Sequence, residues 1–109
     1  MALLRGTLDV LVLKTLSWSA MHAFEIVSWL EDRSGGKLDI QDAALLQSLH
    51  RLEERELIEA EWGVTRNDRK ARYYRLTSSG RTKLREDTAQ LRDDVGVLTT
   101  ILAAKKTAT

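Results

Sequence analysis

The apolar residues of this 109-residue chain change their period abruptly between residues 45 and 64. Leu45, Leu49 and Leu52 recur at intervals of four and three, which places them on one face of an α-helix. From Ile58 to Val64 every second residue is apolar, which is the periodicity of a β-strand. The chain therefore passes directly from an amphipathic helix into a strand, and few small folds accommodate that order.

The strand is predicted to return as a hairpin. Asn67-Asp68 supplies turn chemistry, and residues 72–76 read as the second strand. Tyr73 and Tyr74 are adjacent in that strand, so they must face opposite sides of it, one in the core and one exposed.

Two helices are predicted before residue 42. The first starts at Gly6 or Thr7, has Asp9 in its first turn and ends at Trp18. Its inner stripe comprises Leu8, Leu11, Val12, Thr15 and Leu16. The second runs from about His22 to Arg33 and ends at Ser34-Gly35-Gly36. Its inward positions are Phe24, Val27 and Leu30; Ile26 extends that face and Trp29 flanks it.

A short connection links these helices to the third. Lys37 to Ile40 alternates polar and apolar residues, which predicts a very short strand. Asp42 is a suitable N-cap for the third helix, which is expected to end near Glu56.

The last predicted helix carries a heptad-like seam. Thr77 is its expected cap, and the apolar and Thr positions keep spacings of four and three at Leu84, Thr88, Leu91, Val95, Leu98 and Leu102. The helix is too long for a core this small to cover, which favours a second copy of the chain as its partner. Packing against the first helix of the same chain is the alternative, and both hold if one end packs inward. Gly96 either permits a close helix approach or marks a bend.

These elements predict a mainly α fold with a small β-hairpin: a winged helix-turn-helix over residues 1–76, followed by a C-terminal dimerisation helix over residues 77–109, in one compact unit. The net charge of +1 carries no information about partners, but the charge is segregated. Residues 66–75 hold five basic side chains and one acid, whereas residues 53–61 hold five acids and one base.

The third helix suggests a function. Its outer face presents small, amide and basic groups that suit base edges in a DNA major groove, namely Ala43, Ala44, Gln47, His50 and Arg51. The basic hairpin would contact phosphates through Arg66, Arg69, Lys70 and Arg72. Considered alone, the helix is better explained as an ordinary amphipathic helix with a solvated outer face; the hairpin behind it favours DNA. The dimer interface is predicted at Leu84, Leu91, Val95, Leu98 and Leu102.

Other classes of protein are disfavoured. The absence of cysteine excludes disulfides and thiolate metal sites. No signal peptide or membrane-spanning run is evident, so a cytoplasmic protein is expected. His50 with Glu53 or Glu54 has metal-like spacing, but only two histidines exist and no H-E-x-x-H pattern occurs. We expect no cofactor, no metal and no enzymatic activity.

Six short motifs in this order resemble the PadR family of bacterial winged-helix transcriptional regulators, specifically its short members with a single C-terminal helix. They are Arg5-Gly6-Thr7-Leu8-Asp9, His22-Ala23-Phe24-Glu25-Ile26, Leu49-His50-Arg51-Leu52-Glu53, Ala60-Glu61-Trp62-Gly63, Ala71-Arg72-Tyr73-Tyr74-Arg75-Leu76-Thr77 and Gly80. The resemblance implies a homodimer, operator DNA as partner, repression in most cases, and often an inducer near the dimer interface.

The chain departs from the family pattern at two sites. The usual His-Gly-Tyr is His22-Ala23-Phe24 here, and the usual Ser-Leu-Tyr-Pro is Ala44-Leu45-Leu46-Gln47. Leu46 thus replaces a tyrosine that commonly touches DNA in the family.

Two further hypotheses remain open. The chain could be a winged-helix interaction module that has lost DNA binding, which Leu46 and the acidic block favour and the basic hairpin opposes. A small aromatic inducer could bind between Trp18 and Trp29, although core packing or a dimer contact is the simpler role for these rings.

Overall fold

The computed structural model describes residues 6–106. In chain order its elements are α1 (Thr7–Leu16), α2 (Ala23–Arg33), α3 (Asp42–Glu54), β1 (Ile58–Val64), β2 (Lys70–Leu76) and α4 (Ser78–Ala103). The predicted fold class, helical with one small hairpin and a long last helix, is confirmed. No helix in this part of the chain is long and apolar enough to cross a membrane.

Helix α1 lies at the centre of the fold and packs against α2, α3, β2 and α4. Its buried residues are Val12, Leu13, Thr15 and Leu16. The Thr15 hydroxyl is satisfied by donating to Leu11 O at 2.8 Å, so the polar group is buried without an unpaired donor. The helix ends at Leu16 rather than at Trp18, whose side chain is 65% exposed and therefore not part of the core.

The predicted inward face of α2 was wrong at Phe24, which is 76% exposed. Ile26 and Leu30, one turn apart, are the buried positions, and at about 100° per residue Phe24 lies on the opposite side from Ile26. The start of the helix fixes this phase. His22 and Glu25 form a capping box, with His22 Nδ1 accepting from Glu25 N and Glu25 Oε1 accepting from His22 N.

The segment before α3 was also predicted incorrectly. Within the described residues, positions 37–40 form no strand: Leu38 is half-buried and Ile40 buried, so their alternation reflects packing of an extended segment on the core and not pairing with another strand. Met21 is the residue that pairs with β2 outside the hairpin: it exchanges two backbone hydrogen bonds with Tyr74. The N-cap of α3 is Gln41, not Asp42, which is the first helical residue.

The hairpin pairs β1 and β2 antiparallel, with Ala60 opposite Tyr74 and Trp62 opposite Arg72. Tyr74 is buried, as predicted for one of the two tyrosines, and Tyr73 is half-buried on the other face. The expected turn at residues 67–68 is present, and Asp68 adopts a positive φ of 56° there.

The junction between the hairpin and α4 is tightly built. Thr77 is the N-cap of α4, as predicted, and its hydroxyl accepts from Gly80 N at 3.0 Å and donates to Glu56 O at 2.7 Å. Gly80 lies against the backbone of Leu57, where an added Cβ would come within 2.0 Å of the carbonyl oxygen. Only glycine fits this position because a backbone carbonyl cannot be displaced cheaply.

Gly80→Ala is therefore expected to lower the free energy of unfolding by about 1–3 kcal/mol or more. The matched control is Gly96→Ala in the same helix, where nothing lies within 4 Å of the added Cβ. That control should raise stability by about 0.5–1 kcal/mol because glycine is costly inside a helix. Urea denaturation followed by circular dichroism measures both, and equal effects of the two substitutions would contradict the assigned role of Gly80.

Candidate nucleic-acid interface

Helix α3 separates a buried face from an exposed one, as predicted. Leu45, Leu49 and Leu52 are 1–2% exposed and pack in the core. Of the predicted base-contacting residues, Ala43, Gln47 and His50 are exposed and Ala44 is half-buried. The side chain of His50 is 74% exposed and pairs with Glu54 at 3.0 Å. The outer face thus offers polar groups on a helix whose backbone is held by its apolar side.

Arg51, the fifth predicted base-contacting residue, is bonded within the chain. Its Nη2 donates to Asp9 Oδ1 at 2.7 Å, and its Nε donates to Asp9 Oδ2 at 3.3 Å. The hydrogen bond to Asp9 raises the pKa of Arg51 above its usual value. The fully buried Ser48 also donates to Asp9 Oδ1, at 2.5 Å. One carboxylate at the start of α1 therefore fixes two side chains of α3.

This arrangement was not foreseen from the sequence. The available signal was Ser48, which falls among the inward leucines of the third helix although it is polar. A buried hydroxyl requires a partner, and an acid elsewhere in the chain is a common one.

The tip of the hairpin carries free cations. Arg66, Arg69 and Lys70 are exposed, and among residues 6–106 none of the three takes part in an ion pair. The turn that displays them is organised by Thr65, whose hydroxyl accepts from Asn67 N and Arg69 N, both at 3.3 Å. Three positive charges consequently project from a defined turn.

Arg72, the fourth predicted phosphate-contacting residue, is held differently. Its Nη2 donates to Glu53 Oε2 at 2.8 Å, and its guanidinium lies 5.7 Å from the centroid of the Tyr74 ring. This ion pair joins β2 to α3. A phosphate contact by Arg72 stays a prediction, but its charge already has a partner.

An apolar groove runs between the start of α2, helix α3 and the hairpin. Four large apolar side chains line it, and each is more than half exposed: Phe24 76%, Leu46 55%, Trp62 70% and Val64 63%. Neither Phe24 nor Trp62 was identified as a candidate from the sequence. Strand alternation indicates which face Trp62 shares with Tyr74, but not how far along the hairpin the core extends.

The two residues of the predicted inducer site make separate contacts. Trp18 is exposed beside Lys14, whose Nζ lies 5.2 Å from the ring centroid. Trp29 is half-buried against the core, with Arg33 at 5.4 Å. An aromatic inducer at these rings stays a prediction.

The predicted dimer seam divides along α4. Leu84 packs against the core of its own chain, and Leu91 is half-buried. Val95, Leu98 and Leu102 are 51%, 49% and 86% exposed. The apolar residues of the outer half therefore lack a partner within residues 6–106.

Comparison with known protein families shows which family has this combination of a helical core, an exposed helix face and a basic hairpin. The model of the transcriptional regulator PadR-like family matches residues 12–86. The chain belongs to the PadR-like family. Its resemblance to that family, inferred from the six motifs, is thereby confirmed, and the family consists of transcriptional regulators.

Individual relatives agree with this membership. The PadR-like chain is 33% identical over 84 residues to an uncharacterised protein of Lysinibacillus sphaericus, covering 77% of each. It superposes on a PadR family regulator from Eggerthella lenta with a TM-score of 0.79 and 30% identity, covering 93% of this chain and 86% of that one. A transcriptional regulator from Clostridium thermocellum shares the fold with a TM-score of 0.81 at 21% identity, covering 88% and 93%.

Removing the Asp9 carboxylate tests its role in this PadR-like protein. Asp9→Ala is expected to destabilise the fold by about 1–3 kcal/mol, because the buried Ser48 hydroxyl loses its acceptor. The effect should shrink when Ser48 is already alanine, since the two residues share one interaction. Glu54→Ala, which removes the exposed pair with His50, is the control and should change stability by less than about 0.5 kcal/mol. Chemical denaturation of the four variants measures these differences; an Asp9→Ala effect as small as that of the control would contradict the assignment.

Proposed function

We propose that this protein is a sequence-specific DNA-binding transcriptional regulator that acts as a repressor, in the form of a homodimer bound to operator DNA. The observation that carries the proposal is the group of unpaired cations Arg66, Arg69 and Lys70, displayed on an ordered turn beside the exposed face of α3. Phosphates are the natural partners of such cations, and a helix face rich in polar groups is suited to base edges. Membership of a family of transcriptional regulators supports the same conclusion.

The hairpin tip and the outer face of α3 would make different kinds of contact with DNA. Long side chains at the hairpin tip reach phosphates beside the groove, which provides affinity without sequence information. Gln47 and His50, with Ala43 and Ala44, face outward on α3 and would contact base edges. Arg51 keeps about half of its side chain exposed, but contact with a base would have to compete with Asp9.

We propose further that the protein is a regulator and not an enzyme, and that it acts in the cytoplasm, where the operator lies.

The alternative, a winged-helix interaction module without DNA binding, is favoured by Leu46 and by the acidic block at residues 53–61. Three of its five acids bond basic or imidazole groups of the same chain: Glu53 to Arg72, Glu54 to His50 and Glu59 to Arg75. The first pair joins α3 to the hairpin, and the other two lie within α3 and within the hairpin. These acids already have partners in the chain, so they give weaker support for an external basic partner. A gel-shift on the region upstream of the protein's own gene separates the two proposals.

Salt titrations test the division of labour. Arg69→Ala should weaken binding to operator and random duplex alike, and the slope of log affinity against log salt should fall by about 1. Gln47→Ala should cost roughly 1–3 kcal/mol on the operator and leave random-duplex binding nearly unchanged. Lys105→Ala removes a cation beyond α4, about 39 Å along the helix from the hairpin base, and should change neither quantity. If Arg69→Ala altered only sequence preference, the proposed roles would be wrong.

The homodimer is tested at the outer half of α4. Leu98→Asp places a charge among the exposed apolar residues Val95 and Leu102, and it should weaken association by several kcal/mol because an unpaired charge is costly to bury. Thr100→Asp is the matched control, because at about 100° per residue it lies on the opposite side of the helix from Leu98. Sedimentation equilibrium should show a dimer for the unmodified protein and for the control. A monomer at micromolar concentration for the unmodified protein would contradict the proposal.

A further inference from the structure

We propose that the apolar groove lined by Phe24, Leu46, Trp62 and Val64 receives one sugar–phosphate strand of the bound duplex, with the deoxyribose rings against these side chains. Part of the affinity for DNA would then be apolar and independent of salt. This inference rests on the proposed function and adds a set of contacting residues to it. None of the four belongs to the polar groups that explain base or phosphate contacts.

The exposure of these side chains is the first observation. Trp62 at 70% and Phe24 at 76% leave most of two aromatic rings in water, close to Leu46 and Val64 in the same groove. Exposed apolar side chains gathered in one groove, in contrast to singly scattered ones, mark a site of interaction. Scattered single residues would need no explanation, but four that line one groove from three elements do.

The hairpin register fixes half of the groove. Trp62 lies directly opposite Arg72, and Val64 lies directly opposite Lys70. Residues that oppose each other in an antiparallel pair share a face of the sheet, so apolar and basic side chains alternate across this surface. The combination matches a nucleic-acid strand, in which an apolar sugar face alternates with a charged phosphate.

Charge selects the occupant. The rim of the groove carries the unpaired cations Arg66, Arg69 and Lys70. Among the described residues that line it, Glu25 is the one acid, and its carboxylate is bonded to His22 N at 3.1 Å with His22 Nε2 at 3.4 Å. A polyanion is favoured here, whereas a second copy of this chain would bring its own cations against the same rim.

The shape of the groove favours a strand over a small molecule. Its volume is about 1020 Å³, slightly above the usual range for small-ligand sites, and those sites enclose most of the ligand surface. Here the four large apolar side chains of the lining are each more than half exposed. A polymer that lies along an open groove satisfies this geometry, and the adjoining face of α3 is the surface proposed to meet the same duplex.

The position of Leu46 strengthens the assignment. It is 55% exposed on α3, one residue before Gln47, so it lies beside the proposed base-contacting face. A leucine there cannot donate a hydrogen bond to a phosphate, but it can pack against a sugar or a thymine methyl group.

The test separates apolar from electrostatic affinity. Trp62→Ala and Leu46→Ala in the full-length protein should each weaken binding to operator and to random duplex by roughly tenfold, the change expected from losing a partly buried apolar side chain. The slope of log affinity against log salt should stay unchanged, in contrast to Arg69→Ala. Val64→Ala should give a smaller loss, and its control Val97→Ala, a valine of similar exposure on α4, should give none.

A spectroscopic measurement supports the reading of the variants. In a Trp18→Phe, Trp29→Phe protein, Trp62 is the remaining tryptophan, and its fluorescence should change on adding duplex with the same midpoint as the binding curve. All variants are first compared by thermal melting, and Leu46→Ala carries the test if Trp62→Ala loses its fold.

The outcomes are distinct. If the unmodified protein binds duplex while both variants keep its affinity, the inference fails and the proposed function stands. If the variants weaken binding but reduce the salt slope as Arg69→Ala does, the loss is electrostatic and the inference is again overturned. If the unmodified protein binds no duplex at low salt, the proposed function itself fails.

Discussion

The packing of helix α1 is the constraint on which the rest of the molecule depends. The helix contacts α2, α3, β2 and α4, and its residues Val12, Leu13 and Leu16 are at most 2% exposed. Burial of these side chains contributes roughly 1.5–3 kcal/mol each. Asp9, in the first turn of the same helix, bonds Ser48 and Arg51. Helix α1 therefore holds α3 by hydrogen bonds in addition to apolar packing. A single short helix thus orients both the proposed DNA-binding face and the start of the long C-terminal helix.

Two acidic residues near the base of the hairpin form ion pairs with basic residues of the same chain. Glu53 of α3 bonds Arg72 of β2, and Glu59 bonds Arg75, its neighbour across the hairpin. Each pair is partly exposed, so its contribution to stability is small, of order 1 kcal/mol or less. Its larger consequence is electrostatic: basic residues at the base of the hairpin are neutralised, while those at the tip are not. The near-zero net charge of the chain conceals this local excess.

The elements that follow from strong periodicity or capping were predictable, and those that depend on tertiary partners were not. Leu45, Leu49 and Leu52 define the buried face of α3 in sequence and structure alike, and Thr77 caps α4 as its chemistry suggests. Phe24 was misplaced because the phase of α2 depends on where the capping box starts it. The alternation at residues 37–40 was misread as a strand because a strand requires a neighbour, and Met21 occupies that place. The pairing of Arg51 with Asp9, 42 positions away in sequence, has no local signature.

The same connectivity links the two proposed surfaces. In a twofold dimer formed through the outer half of α4, the distance between the two copies of α3 is set by the packing of α4 on α1 and of α1 on α3. Half-sites on one side of B-DNA lie one helical turn, about 34–36 Å, or a multiple of it apart, so this distance determines which operator spacing the dimer can bind. At the α1–α3 contact the Asp9 bonds to Ser48 and Arg51 join the two helices, whereas Leu84 of α4 packs against the core through apolar contacts. Adjustment of operator spacing is therefore easier at the α1–α4 contact, because apolar packing allows small sliding movements that a bonded carboxylate resists.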